Sequence, residues 1–397
     1  MKNLVLLLTV ITIFIGGCQS KYPGVPKQYI SLLDSANVIA GDNAEQIFLA
    51  LENSSMQQKE AAAFLIAYMP AKDLKTLSTK FVSDQINGAL KVRNEFEWCK
   101  SLPDSIFLNE VLPYYSLDEY RDNWRENYYN RFSKYVKNCK SIREAIDSVN
   151  LNIRDELDVD YNTKRSIVNI SPFQSEKENM ATCTGLSFLL VDAFRSVGIP
   201  ARIAGTPLWT NMRGNHSWVE VYIDGDWYFT EYYPDALNKS WFLADAGKAD
   251  PEKPIHWIYA ASYKPTGTYF PRVWDKDAKD INGVNVTDSY ISLYEEQLLG
   301  EKLEAEEILV DVVLYKEPGS ENADNRMSEK VTVWNGETKV VHGFTPTPTD
   351  DLNKFLKFKL KKNVRYSFEF VDTKGNKKLE IIEFNNDSNK LVKLIQN

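Results

Sequence analysis

The sequence predicts an α+β protein with a helical N-terminal region, a mixed helix-and-hairpin core and a C-terminal β-sandwich. Three observations carry this. Compact apolar runs and two Ser-x-x-Glu capping boxes fill residues 40–160 with helix signals. An apolar helix opening at Cys183 is followed by strand patterns flanking an Asp224-Gly225 turn. From Glu306 onward the chain breaks into short strand-like runs separated by turn residues.

Residues 1–17 read as a signal segment. Lys2 precedes an apolar stretch from Leu4 to Ile15, and Gly16-Gly17 supplies the small residues needed before a cleavage point. The stretch is too short to span a bilayer as a mature helix. Cys18 directly after that small pair has the form of a bacterial lipobox, which implies cleavage before Cys18 and lipidation of its thiol. The mature chain is then expected to be lipid-anchored in the cell envelope rather than membrane-spanning. Gln19-Ser20-Lys21 contains no acidic run, which points to the periplasmic side. Residues 18–39, with two prolines and a glycine between Ser20 and Gln28, read as a tether.

In the helical region, Ala44–Leu51 and Ala61–Tyr68 are mostly apolar, and Lys72 to Leu90 shows helical spacing. The boxes Ser116–Glu119 and Ser141–Glu144 are expected to start helices reaching roughly Val136 and Leu157. In the core, residues 161–305, Leu186, Leu189, Leu190, Ala193, Phe194 and Val197 recur at three- and four-residue spacing until Gly198-Ile199-Pro200 stops the helix. Ala201–Gly205 is a short strand and Thr206–Asn215 a loop. Ser217–Ile223 alternates, and Trp227–Tyr232 returns as its partner. Residues 246–305 read only as a helical and loop connection. Residues 306–397 hold six strand-like runs, with turns at Asn335-Gly336 and Lys374-Gly375-Asn376, the pattern of a small sandwich.

Composition narrows the function. Acidic and basic residues are interspersed, 55 against 47, with a net charge of −8 and no basic stripe, so nucleic acid is not an expected partner. The 9 Trp, 21 Tyr and 19 Phe are expected mostly to pack the core, with a surplus of the kind that lines a groove for peptide or sugar. Of the four cysteines, Cys99 and Cys139 are available to pair in an oxidising compartment, leaving Cys183 as the odd free thiol. No CxxC or close His/Cys cluster is present, so neither a metal nor another cofactor is expected.

Ala181-Thr182-Cys183-Thr184-Gly185-Leu186 puts a cysteine at a helix start, where unpaired backbone N–H groups and the helix dipole favour a thiolate. Gly214-Asn215-His216-Ser217-Trp218 puts one of only three histidines at a strand start, as a base for that thiol. The hairpin register supplies an acid. With Asp224-Gly225 at the turn, Tyr222 faces Trp227 and Trp218 faces Glu231, so Glu231 shares a face with His216 at the diagonal position. Asp235, beyond Pro234, is the alternative acid. Trp209 is a candidate wall of the substrate groove or a core residue. His256 and His342 are expected to be structural or solvent-facing.

The Thr-Cys-Thr-Gly helix start, Gly-Ile-Pro-Ala-Arg strand, Asn-His-Ser-Trp-Val-Glu-Val strand and Asp-Gly-x-Trp hairpin together resemble the transglutaminase-like superfamily over about residues 165–245. The resemblance implies a papain-like core with catalytic order Cys183, His216, acid, and Glu231 stands where the family's aspartate usually falls. It also implies an oxyanion donor upstream of the cysteine, for which Gln174 is the candidate beside the Cys183 backbone N–H. The expected activity is hydrolysis of amide bonds in peptides or glycopeptides through a thioester. Transfer to an amine, or a non-catalytic peptide- or glycan-binding module, are the alternatives.

Overall fold

The computed structural model describes residues 21–397 apart from 169, 234–235, 276, 301–305, 320 and 385–389, and apart from the side chains of 298–300 and 390. The signal segment, Cys18 and Asp235 lie outside the described residues. The chain divides into two units, residues 1–79 and 80–397. Among the described residues no helix is long and apolar enough to cross a membrane.

In the first unit, helices α1 (Ile30–Ala40), α2 (Ala44–Asn53) and α3 (Lys59–Ala67) pack together. Residues 30–39 therefore do not form a tether. Leu33, Ala36 and Ala40 make a buried stripe at helical spacing. Tyr29 sets its ring edge-on to Phe64 at 6.3 Å, and Tyr22 stacks on Phe48 at 5.7 Å. The prolines and glycine of 21–28 lie in a segment whose Tyr22 and Val25 are themselves buried.

In the second unit, α4 (Arg125–Val136), α5 (Ile142–Leu157), α6 (Pro172–Glu178) and α7 (Cys183–Ser196) precede the main sheet. Ser141 is the N-cap of α5: its hydroxyl accepts from the Glu144 N–H at 3.2 Å, and Glu144 reaches back to the Lys140 N–H at 2.8 Å. The Ser116 box departs from expectation. Glu119 accepts from the Ser116 and Leu117 N–H groups, at 2.6 and 2.9 Å, but closes a buried turn, and the helix begins only at Arg125. Buried Arg125 and Arg195 act on this segment. They donate to the carbonyls of Val111, Leu112, Pro113 and Tyr115, so residues 111–115 serve side chains rather than a helix ladder.

The sheet has the order β3–β2–β1–β4–β5, all antiparallel. Its strands are β1 (Ala201–Thr206), β2 (His216–Ile223), β3 (Asp226–Thr230), β4 (Tyr259–Ser262) and β5 (Asn282–Asn285). Strands β4 and β5 extend it from the segment that reads in sequence only as a connection. Helix α7 is buried from Thr184 to Ser196 and packs on β1 and β2, which fixes the Cys183 end beside the start of β2. Helix α8 (Thr287–Gly300) follows.

Residues 307–395 form two sheets around one apolar core that includes Val310, Val312, Val333, Phe368 and Leu394. The strands are β6 (Glu307–Tyr315), β7 (Lys330–Asn335), β8 (Thr338–Phe344), β9 (Leu356–Lys361), β10 (Arg365–Val371), β11 (Lys377–Glu383) and β12 (Lys390–Ile395). Strand β12 pairs parallel with β6 and adds a seventh strand to the six visible in sequence. Cys99 and Cys139 are not bonded to each other: both thiols are free. Cys99 is fully buried beneath Gly198, where an added Cβ would meet its Cβ at 2.8 Å, and burial pushes its thiol up to about 12.

Candidate active site

Cys183 opens α7 behind Thr182, whose extended backbone provides the cap position but no side-chain cap bond. The first N–H groups of the helix therefore point out of its end without a capping partner from Thr182. Leu186 N–H returns to the Thr182 carbonyl at 2.8 Å, and the Ser187 hydroxyl donates to the Cys183 carbonyl at 2.8 Å, so the turn under the thiol is braced. Thr184 and Ser217 hydroxyls meet at 3.1 Å and tie the helix start to the strand that carries His216.

His216 is buried, and its Nε2 lies 2.7 Å from Glu231 Oε1. That leaves Nδ1, which has no hydrogen bond of ordinary geometry among the described residues, as the nitrogen open to the Cys183 thiol. Burial acts to depress the imidazole. Interaction with Cys183 and with the Glu231 carboxylate outweighs it and raises His216 to about 10, favouring imidazolium.

The hairpin pairs Tyr222 with Trp227 and Val219 with Thr230 and then ends, so Glu231 extends from the frayed end of β3 along the expected register. Two contacts missed in the sequence hold it. The Ser240 hydroxyl donates to Glu231 Oε2, and buried Asn150 donates to both the Thr230 hydroxyl and the Glu231 carbonyl at 2.9 Å. Their signals are absent locally, because Asn150 reaches in from α5 and Ser240 from a loop.

Trp209 is placed in the core, not in a groove wall. It is 2% exposed and stacks parallel to Trp218 at 6.2 Å, within an aromatic cluster that includes Phe242 behind His216. Gln174 is not brought to the cysteine. It sits on α6, where its amide donates to Glu178 Oε1 at 2.7 Å, i to i+4 on the same short helix. Tyr161 takes a place that sequence reasoning did not give it. It pairs in a short parallel bridge with Ala181 and lines the cavity with Cys183. Its hydroxyl has no hydrogen-bond partner among the described residues, and burial, followed by the nearby Cys183, keeps the phenol protonated. His256 bonds through Nδ1 to the Leu208 carbonyl at 2.9 Å, and His342 is exposed on β8.

Cys183, His216 and Glu231 open into one cavity of about 320 Å³, walled also by Tyr161, Leu186, Tyr232, Trp241 and, from the sandwich, Asp350, Asp351 and Lys354. Among the described residues, no group of three or more His, Cys, Asp or Glu side chains is gathered to hold a metal ion.

The described core thus packs a cysteine at a helix start against an antiparallel sheet that presents a histidine and a carboxylate. Residues 130–232 match the model of the transglutaminase-like superfamily, so this core is transglutaminase-like. No curated protein matches the chain. Among solved structures, it is similar to a Cytophaga hutchinsonii protein named a "Putative Cysteine Protease" (18% identity, 36% of this chain and 47% of that one, TM-score 0.28). Two others are a TGase (13%, 40% and 40%, 0.23) and red sea bream transglutaminase (9%, 74% and 66%, 0.31). The chain thus spans about half or less of the first two proteins and about two thirds of the third.

Proposed function

We propose that the protein is a cysteine hydrolase that cleaves amide bonds of peptides or glycopeptides. The reading is carried by the chain of contacts from Cys183 through His216 to Glu231, at the floor of a cavity large enough for a substrate segment. The Cys183 sulfur attacks the carbonyl carbon and forms a C–S bond, and charge collects on the carbonyl oxygen. The Cys183 backbone N–H and the Tyr161 hydroxyl are the donors for that oxygen. His216 gives its proton to the amine as the C–N bond breaks, leaving a thioester. Water, deprotonated by His216, then releases the acid and restores the thiol. Glu231 holds the ring and stabilises the imidazolium, and Ser240 and Asn150 hold Glu231.

We further propose that this chemistry is displayed from the envelope by lipidated Cys18, on the periplasmic side. The small pair before that cysteine and the apolar stretch preceding it support this.

An activity-based amide or nitrile probe tests the central reading. Labelling at Cys183 that is lost in His216→Ala is expected; no labelling, or labelling indifferent to His216, leaves a binding module. Product analysis with an added primary amine then separates water from amine as the acceptor: faster amine incorporation than acid release makes the protein a transglutaminase.

A further inference from the structure

The transglutaminase-like core does not enclose its own cavity. Residues 345–355, the loop between β8 and β9 of the sandwich, bring Asp350, Asp351 and Lys354 into the wall. The loop is held from both sides. Buried Arg326 donates Nη1 to the Asp351 carbonyl at 2.6 Å and Nη2 to the Leu352 carbonyl. Asn211, in the loop before His216, donates to Asn353 Oδ1 at 3.1 Å. Such a segment is placed in advance of any ligand.

Its charges do not cancel. Lys354 Nζ lies 2.7 Å from Asp350 Oδ1, and Asp350 Oδ2 accepts from the Thr347 N–H and hydroxyl at 2.7 and 2.9 Å. Asp351 has no ion-pair partner among the described residues. Its Oδ1 accepts from the Asn353 N–H at 2.8 Å, and Oδ2 accepts from nothing. Burial pushes the Asp351 carboxyl up, while His216, the Asn353 N–H and Arg326 pull it down and Glu231 adds to the rise, so it shares its electrostatic surroundings with the candidate site. The rings of Tyr161, Tyr232 and Trp241 line the same cavity.

We propose that Asp351 is a specificity residue that receives a cationic group, ammonium or guanidinium, of the amide substrate beside the scissile bond. The inference rests on reading Cys183 as the nucleophile of this cavity. A partly buried carboxylate with no direct ion pair gains more from an arriving cation than an exposed one does. Aromatic faces in the same cavity add attraction for that cation.

Two measurements test it, and they fail separately from the hydrolase reading. The first follows modification of Cys183, read by mass spectrometry, with aminoethyl and sulfonatoethyl methanethiosulfonates, which are similar in size and opposite in charge. The cationic reagent is expected to react about tenfold faster in the wild type, a bias reduced by 0.5 M salt and abolished in Asp351→Asn. A ratio unchanged by Asp351→Asn overturns the proposal. The second compares kcat/KM for peptides with lysine, norleucine or glutamate beside the cleaved bond, each with a free or acetylated N-terminus. Lysine is expected to exceed norleucine about tenfold, with the order shifting toward glutamate in Asp351→Lys. A preference that follows the free N-terminus instead assigns Asp351 to the α-ammonium. The order of kcat/KM values comes only from folded enzyme, so loss of folded protein does not imitate it, and the labelling ratio is read on Asp351→Asn whose urea unfolding transition matches the wild type. Biased labelling without turnover of any peptide removes the hydrolase and keeps the cation site. Turnover without charge preference keeps the hydrolase and removes the site.

Discussion

Replacing Glu231 with glutamine removes a charge from His216 and keeps the side chain's length. Burial alone would lower the imidazole, and contacts with Cys183 and Glu231 raise it instead to about 10. Measured from the ordinary 6.5, that is on the order of 5 kcal/mol of preference for imidazolium. Glutamine leaves an acceptor at Nε2, but a neutral hydrogen bond is about half as strong as a charge-assisted one, and the ionic attraction is gone. Cys183 still acts on the ring, but with the Glu231 charge gone the His216 midpoint in Glu231→Gln is expected to fall clearly below that of the wild type. With three histidines in the chain, an NMR titration of the ring protons resolves each one. Stability follows the same sign. A group raised from 6.5 to about 10 stabilises the fold fully below pH 6.5, and that contribution is lost as pH rises through 10. The wild type's advantage in urea unfolding should therefore be largest near pH 6 and shrink across that window. An unchanged His216 midpoint, or an advantage flat from pH 6 to 10, refutes the reasoning.

Trp209→Ala should cost ~3–5 kcal/mol in unfolding, with no change in preference between peptides, because its ring is core packing. A shifted preference at undiminished stability would return it to the groove. In Gly205→Ala the new Cβ would stand 2.7 Å from the His216 carbonyl oxygen, a backbone atom of the strand that carries the base. Urea unfolding should register a loss of about 1–3 kcal/mol, and kcat should fall with it. Tyr161→Phe is expected to lower kcat about 10–100-fold with KM little changed, whereas Gln174→Ala should leave both near wild type. The reverse ranking would put the oxyanion donor on α6.

What could be read in the sequence was what is encoded locally. The α+β class follows from helix starts, alternation and turns, and the transglutaminase-like core is written across contiguous elements between Cys183 and Tyr232. The Asp224-Gly225 turn fixes the register of the hairpin, and register alone carries Glu231 to the side of His216. Local grammar also misled. Ser116–Glu119 has the residues of a capping box, but the Glu119 carboxylate serves two N–H groups of a buried turn and the helix starts only at Arg125. The Pro/Gly-rich start of the chain resembles a tether until Tyr22 and Tyr29 are seen to bury their rings. Strands β4, β5 and β12 carry weak patterns of their own and are defined by the neighbours they pair with.

The site divides along the same line. Cys183 and His216 stand on regular elements whose positions are set by packing of α7 on β1 and β2, so their meeting could be anticipated from spacing and fold. Asn150, Ser240 and Asp351 arrive from a distant helix, a loop and another sheet system, and no periodicity links them to the thiol. The family resemblance points to Gln174 upstream of the cysteine, but its i, i+4 carboxylate on α6 takes the amide instead. Tyr161 reaches the cavity where Gln174 does not because strand pairing with Ala181 places it beside the helix start, whatever its 22-residue separation from Cys183 in sequence. The candidate Cys183–His216–Glu231 set is thus fixed by the register of one core, while Asp351 stands on a sandwich loop clamped by Arg326 and Asn211. Substitutions within 345–355 can therefore change the wall of the cavity without touching the elements that hold Cys183 beside His216.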